Sequence, residues 1–133
     1  MDRAEDFTGR LDVRVLSGRR PDTVVLALSG ELDHDTAGPL RDALAEHGGD
    51  AGSSRNGGRV VVDCSELSFC DSTGLNVLLR ARLRMTEAGG RLDIAGLRPP
   101  VDRMFEITGA LSVFRVYETV ASALADAPAP EGS

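Results

Sequence analysis

The pattern of apolar and polar positions predicts two strands at the start of the chain. Residues 11–16 alternate apolar and polar side chains, as a half-buried edge strand does, and residues 23–28 form a more apolar strand. Between them, residues 17–22 are rich in the types that turns use. The spacing therefore predicts an antiparallel hairpin.

A buried strand followed by an amphipathic helix occupies the middle of the chain. Residues 60–62 are three consecutive valines, a β-branched run typical of a buried strand. In residues 75–83 four leucines recur at helical spacing. Asp71, Ser72 and Thr73 precede that run, and their side-chain oxygens can accept hydrogen bonds from the first N–H groups of a helix. The helix is therefore expected to begin within these three residues.

The remaining segments continue the alternation of helices and strands. They are a helix capped by Asp35 or Thr36 and ended by Gly48, a strand over residues 91–95, a helix between Pro100 and Gly109, a strand over residues 113–117, and a helix starting at Thr119. This order predicts an α/β domain with a mixed sheet of about five strands and about four helices. The opening hairpin is antiparallel and the later strands run parallel. Sites in such sheets gather at the carboxyl ends of the strands, so residues 31–35 and 69–74 are expected to lie together.

Length and composition place one domain at residues 11–125. Residues 1–10 are expected to be a flexible arm, residues 126–133 a disordered tail, and residues 48–58 a flexible Gly-rich loop. The formal net charge of −6 argues against a nucleic-acid partner and gives no attraction to an anionic membrane. With no apolar run of the length of a membrane span, no secretory signal and two cysteines, the chain is expected to be cytoplasmic.

The residues around Ser72 allow two interpretations. A hydroxyl at a strand-to-helix junction lies at the positive end of the helix dipole, which favours a phosphate. The same residues are also what an ordinary helix cap looks like. Thr73 is a second possible phosphate acceptor.

The sequence shows few of the residues that an enzyme active site requires, so no enzyme activity is expected. His34 could approach Ser72 if the two loops share one end, so a Ser–His pair stays open, but neither a Gly-x-Ser-x-Gly elbow nor an oxyanion device is visible. Residues 33–35 (Asp-His-Asp) are explained better by loop capping than by metal binding. The Gly-rich loop lacks the lysine and spacing of a phosphate-binding P-loop, so no cofactor is expected.

Two longer segments carry a family resemblance. Residues 68–79 (Ser-Phe-Cys-Asp-Ser-Thr-Gly-Leu-Asn-Val-Leu-Leu) resemble the phosphorylation-site signature of the anti-sigma factor antagonists, the single-domain members of the STAS group. Residues 30–37 (Gly-Glu-Leu-Asp-His-Asp-Thr-Ala) resemble the second signature of these proteins. The likeness runs from about residue 11 to residue 124, and it implies a STAS-like sheet.

The resemblance also implies a function. Ser72 would be phosphorylated by a partner that is both an anti-sigma factor and an ATP-dependent serine kinase. The unphosphorylated protein would bind that partner, which then releases its sigma factor, and a serine phosphatase would reset the serine. The alternative is a STAS-type module that binds a nucleotide or another regulator without being phosphorylated.

The same resemblance assigns a partner-binding surface to five positions. These are Asp33, Asp71, Thr73, Gly74 and Asn76. Asn76 departs from the family pattern, which often has a glycine there, so a close backbone approach at that position is in doubt.

Overall fold

A five-stranded sheet organises the described part of the chain. The computed structural model describes residues 11–17, 23–47 and 58–126. In spatial order the strands are β1 (Leu11–Ser17), β2 (Thr23–Leu32), β3 (Arg59–Cys70), β4 (Arg91–Ala95) and β5 (Val116–Tyr117). β1 pairs antiparallel with β2, and all later pairs are parallel.

The two faces of the sheet are covered unequally. The helices are α1 (Ala37–His47), α2 (Ser72–Glu87), α3 (Val101–Ile107) and α4 (Val120–Ala125), and a short 3-10 turn spans Ala110–Ser112. Buried side chains of α1, α2 and α3 share the larger core on one face, whereas α4 packs on a smaller cluster that contains Val25, Val61 and Ala95. None of the helices in the described ranges combines the length and apolar character needed to cross a bilayer.

The predicted fold class is confirmed, but several boundaries differ from the sequence-based ones. β2 continues to Leu32 and β3 to Cys70, so residues assigned to loops belong to strands. The last strand is only Val116–Tyr117, because the preceding 3-10 turn folds Phe114 into the core, with its ring centroid 5.9 Å from that of Phe105. The predicted arm, nearly all of the predicted Gly-rich loop and nearly all of the predicted tail lie outside the described residues.

β3 is longer than its neighbours and irregular. Its register with β2 shifts twice, between Asp63 and Glu66 and between Leu67 and Phe69, so β3 contains more residues than the stretch of β2 it pairs with. Such bulges bend a strand and increase its twist. The pairing of β3 with β4 covers only residues 59–63, so the following residues extend past the end of β4. β2 and β3 together therefore carry the surface from which α2 begins.

Two arginines share one carboxylate on the face covered by α4. Asp93 Oδ2 accepts a hydrogen bond from Arg59 Nε at 2.9 Å and one from Arg91 Nη2 at 2.7 Å. Arg59 Nη2 also lies 2.8 Å from the same oxygen, although its alignment does not make a hydrogen bond. The Arg59 guanidinium is 5.8 Å from the centroid of the Tyr117 ring, which adds a cation–π contact. Arg59 and Asp93 are both buried, so each depends on the other for its charge balance.

The first turn of α2 passes very close to the end of β2. A Cβ atom built on Gly74 would lie 2.5 Å from Leu32 Cγ and 3.1 Å from the Leu32 carbonyl oxygen. Leu32 is fully buried and has no open space into which to move. Only glycine fits this approach without displacing the strand.

Removing the shared carboxylate should destabilise the domain strongly. Asp93→Ala leaves Arg59 buried without its counter-charge, and we expect the free energy of unfolding, measured in urea, to fall by about 3–5 kcal/mol. Asp12→Ala, at an exposed position of β1, is the control and should change it by less than about 0.5 kcal/mol. An Asp93→Ala protein as stable as the Asp12→Ala protein would contradict this account of the buried pair.

Two glycine-to-alanine changes should differ in size. Gly74→Ala forces a methyl group against Leu32, and we expect a loss of about 1–3 kcal/mol of unfolding free energy. At Gly38, in α1, no described atom outside the neighbouring residues and the helix's own backbone lies within 4 Å of an added Cβ. The helix preference of alanine is opposed there by the ring of Pro39, which disfavours a helical residue with a Cβ before it, so Gly38→Ala should change the unfolding free energy by less than about 0.5 kcal/mol. Urea unfolding of both variants measures the difference, and equal effects would refute the close approach at Gly74.

Candidate functional site

The ends of β2 and β3 meet at the start of α2. Leu32 and Cys70 are paired in register, and the Asp71 N–H donates a hydrogen bond of 3.1 Å to the Leu32 carbonyl oxygen. The two loops that follow these strands therefore lie side by side. The expectation that residues 31–35 and 69–74 share one end of the sheet is confirmed.

Asp71 is the N-cap of α2. Its backbone is extended, its Oδ1 accepts a hydrogen bond of 2.9 Å from the Gly74 N–H, and its carbonyl oxygen accepts the first helical bond, from Leu75. The capping interpretation of this segment thus applies to Asp71 and not to Ser72. The last helix, expected to start at Thr119, begins at Val120, and Thr119 is its N-cap.

Ser72 is the first residue of α2, and it is exposed. Within the described part of the chain, its hydroxyl forms no hydrogen bond. The N–H groups of Ser72 and Thr73 lie in the first turn, where a helix offers no carbonyl partner, and the cap already satisfies Gly74. The result is an accessible hydroxyl beside two N–H donors at the positive end of a 16-residue helix.

The other predicted residues on α2 differ in their accessibility. Thr73 is half-buried, which makes its hydroxyl less accessible than that of Ser72. Gly74 is buried against β2, whereas Asn76 is exposed. Leu75 belongs to the core, as expected, with 5% of its surface exposed.

Asp33 orders the neighbouring loop. Its Oδ1 accepts hydrogen bonds from the N–H groups of Asp35 at 2.9 Å and Thr36 at 3.1 Å. The Thr36 hydroxyl donates to the Glu31 carbonyl oxygen at 2.9 Å and accepts from the Asp33 N–H at 2.8 Å. Side chains at Asp33 and Thr36 therefore fix the turn between β2 and α1, in agreement with the loop-capping interpretation of these acidic residues.

The His34 imidazole lies between carboxylates of the two loops. Its Nε2 lies 3.3 Å from Asp35 Oδ1 and its Nδ1 lies 4.0 Å from Asp71 Oδ2, while 71% of its side chain is exposed. Across residues 11–17, 23–47 and 58–126, no hydrogen bond joins His34 to Ser72, so the arrangement of an activated serine nucleophile is not formed there. The same residues contain no cluster of three or more His, Cys, Asp or Glu side chains placed to hold a metal ion.

The two cysteines are unreactive neighbours of the site. Both are buried and free. Burial, together with the charge of Asp71, raises the pKa of the Cys70 thiol to about 12, and burial raises the pKa of Cys64 well above its ordinary value. Neither thiolate is populated near neutral pH, so Cys70 behaves as a small apolar side chain beneath the junction.

Sequence reasoning missed other residues at this surface. Phe69 is paired with Glu31 and remains 45% exposed, although an aromatic residue in a strand is usually taken as core. The register shift in β3 decides its direction, and no sequence signal marks it. Arg41 and Arg80 were also not among the site residues predicted from the sequence. The spacing of Arg80 and Arg84, one helical turn apart in an acidic chain, could have indicated a local basic surface.

Comparisons with known proteins agree with this geometry. The family model described as "Mlab, STAS domain" matches residues 15–113. The anti-sigma F factor antagonist of Paenibacillus polymyxa is 30% identical over 103 residues, which are 77% of this chain and 85% of that protein.

Solved structures give the same result. An anti-sigma factor antagonist from Mycobacterium paratuberculosis has a TM-score of 0.73 and 25% identity, and covers 86% of this chain and 92% of its own. The antagonist SpoIIAA in its unphosphorylated form has a TM-score of 0.67 and 27% identity, and the match covers 85% of this chain and 93% of SpoIIAA. SpoIIAA of Bacillus in the phosphorylated form has a TM-score of 0.66 and 23% identity, and the match covers 85% of this chain and 96% of that structure. The sequence-based resemblance is thereby confirmed: this chain belongs to the STAS domain family, in the group of anti-sigma factor antagonists.

Proposed function

We propose that this protein antagonises an anti-sigma factor and is switched off by phosphorylation of Ser72. Unphosphorylated, it binds an anti-sigma factor that is also an ATP-dependent serine kinase, and the sigma factor is released. A serine phosphatase restores the binding form. The protein acts in the cytoplasm as a binding partner and kinase substrate, not as an enzyme, and needs no cofactor, nucleic acid or membrane.

The observation that carries this proposal is the position of the Ser72 hydroxyl. It is exposed at the first residue of α2, with unused N–H donors at Ser72 and Thr73 beside it. A phosphate on this oxygen adds about −1.5 to −2 charges and strong acceptor oxygens. Because the helix N-terminus stabilises negative charge, the domain can accept the modification without refolding.

The same phosphate would disturb a partner surface. The neighbouring Asp71 carboxylate has 28% of its side chain exposed and already contributes negative charge to the site. A partner surface complementary to a neutral hydroxyl would meet added bulk and charge there. A penalty of about 2.7 kcal/mol lowers affinity about a hundredfold, which is enough for a binary switch.

The relatives support the chemistry of the switch. SpoIIAA is an anti-sigma factor antagonist that exists in unphosphorylated and phosphorylated forms. We propose the same modification in this chain at Ser72, because that residue lies within the segment that resembles the phosphorylation signature. The half-buried hydroxyl of Thr73 is the weaker candidate acceptor.

Each of the five partner-binding positions has a role in the proposal. Asp71 holds the first turn of α2 so that the hydroxyl faces outward, and Asp33 fixes the conformation of the adjoining loop. Because Gly74 has no side chain, the first turn of α2 can lie against Leu32 at the end of β2. Thr73 and Asn76 extend the partner surface along α2.

Phosphate mapping tests the acceptor. The protein is incubated with ATP and each serine kinase of the anti-sigma class from the same genome, and the products are mapped by mass spectrometry. We expect one phosphate, on Ser72, and none in Ser72→Ala, while Thr73→Val remains a substrate. Phosphate on Thr73, or none with any kinase, would contradict the proposal, and nucleotide bound to the protein alone would favour the nucleotide-binding module instead.

Binding of the kinase to Ser72 variants tests the charge argument. Ser72→Ala should bind with a dissociation constant within about threefold of the unmodified protein, and Ser72→Asp should bind about a hundredfold more weakly. Ser72→Asn is the matched control, because it has the size of aspartate without the charge, and it should fall between them. Calorimetry measures all three, and equal affinity of the Asp and Asn variants would remove charge as the cause.

A further inference from the structure

A groove with three arginines lies beside Ser72, between α1 and α2. It encloses about 390 Å³, and its lining residues are Arg41, Thr73, Asn76, Val77, Arg80 and Arg84. We call these residues the basic groove. Arg41 comes from α1 and the others from α2, so the packing of two helices places three arginine side chains along one groove.

The charge of the basic groove is opposite to that of the chain. The residues described in its lining include no acidic side chain, whereas the chain as a whole carries −6. Arg41 and Arg80 are exposed, and neither enters an ion pair or a side-chain hydrogen bond within the described ranges. Arg41 and Arg80 therefore present positive charge that an anionic partner would neutralise.

The shape of the groove suits a peptide segment better than a small free anion. The Val77 side chain is almost fully buried and gives the lining an apolar element, and Thr73 and Asn76 add polar groups. An acidic segment can pair its carboxylates with the arginines and lay its backbone or an apolar side chain along the rest.

The position of the groove decides which partner reaches it. Thr73, in its lining, directly follows Ser72 in the chain. A kinase that delivers phosphate to Ser72 must contact the start of α2, and the groove begins at the next residue, Thr73.

We propose that the basic groove docks an acidic segment of the kinase that phosphorylates Ser72. The proposal rests on the proposed function and extends it, because it assigns partner recognition to Arg41 and Arg80. Charges at the edge of an interface act mainly on the rate of association, and salt screens them. Recognition through the groove should therefore depend on ionic strength, whereas phosphoryl transfer at Ser72 should not depend on these arginines.

The test is the kinetics of the double variant Arg41→Glu/Arg80→Glu with the kinase that phosphorylates Ser72. At 50 mM NaCl we expect an association rate constant about tenfold lower than that of the unmodified protein, and a difference of less than about threefold at 500 mM. In the phosphorylation assay, KM for the antagonist should rise about tenfold while kcat stays unchanged. Arg80→Glu places a carboxylate one turn before Arg84, a favourable spacing, so the helix is retained.

The double variant Arg103→Glu/Arg115→Glu is the matched control. It makes the same change in net charge at exposed positions outside the groove: Arg103 lies on α3, and Arg115 lies next to β4, where its carbonyl oxygen accepts the Ile94 N–H. We expect its association rate constant to stay within about twofold of the unmodified protein. An equal decrease of the association rate constant in both double variants would mean that only the net charge of the protein matters, and would overturn the groove proposal.

Two further outcomes separate this proposal from the proposed function. If Ser72 is phosphorylated and the groove variant has unchanged kinetics at low salt, the groove proposal fails and the phosphorylation switch stands. If no kinase modifies Ser72, both fail. If the groove variant loses thermal stability only after Ser72 is phosphorylated, the arginines bind the protein's own phosphate, and docking of a partner segment is overturned.

Discussion

The contact between the start of α2 and the end of β2 is the constraint on which the site depends. The Leu32 carbonyl oxygen accepts the Asp71 N–H, the Asp71 carboxylate accepts the Gly74 N–H, and the missing side chain of Gly74 lets the turn lie against Leu32. These interactions fix Asp71 and Gly74 on either side of Ser72. The Ser72 hydroxyl is therefore held on a rigid turn without taking part in its hydrogen bonds.

This arrangement separates the groups that stabilise the junction from the exposed Ser72 hydroxyl. The cap and the core beneath it involve Asp71, Gly74 and Leu75, whereas the residue that would be modified contributes an exposed oxygen and no buried contact. A phosphate at Ser72 can thus change the surface while the α2 junction keeps its hydrogen bonds. The bonds between the Asp33 carboxylate and the N–H groups of Asp35 and Thr36 give the facing loop a similar rigidity. Both sides of the surface are ordered before any partner arrives, which limits the conformational cost of binding.

Charge is distributed unevenly around this surface. Asp35 and Asp71 flank His34 on the side of the loops, and the basic groove lies on the side of the α1–α2 packing. A partner that covers Ser72 would meet acidic groups on one side and arginines on the other. Such a division fixes orientation as well as affinity, because a rotated partner would bring like charges together.

The sequence by itself determined the class of fold and the place of the junction. Alternation, the valine run at residues 60–62 and the Asp-Ser-Thr segment were enough to predict the mixed sheet, because hydrophobic period and capping chemistry are local properties. The sequence also predicted that residues 31–35 and 69–74 lie at the same end of the sheet, since parallel strands align their carboxyl ends. Tertiary structure decided which of the three polar residues caps α2, where β5 begins, the outward direction of Phe69 and the convergence of Arg41 with Arg80. These depend on register shifts and on helix-to-helix packing, in which residues far apart in the chain meet, and a local pattern holds no information about such contacts.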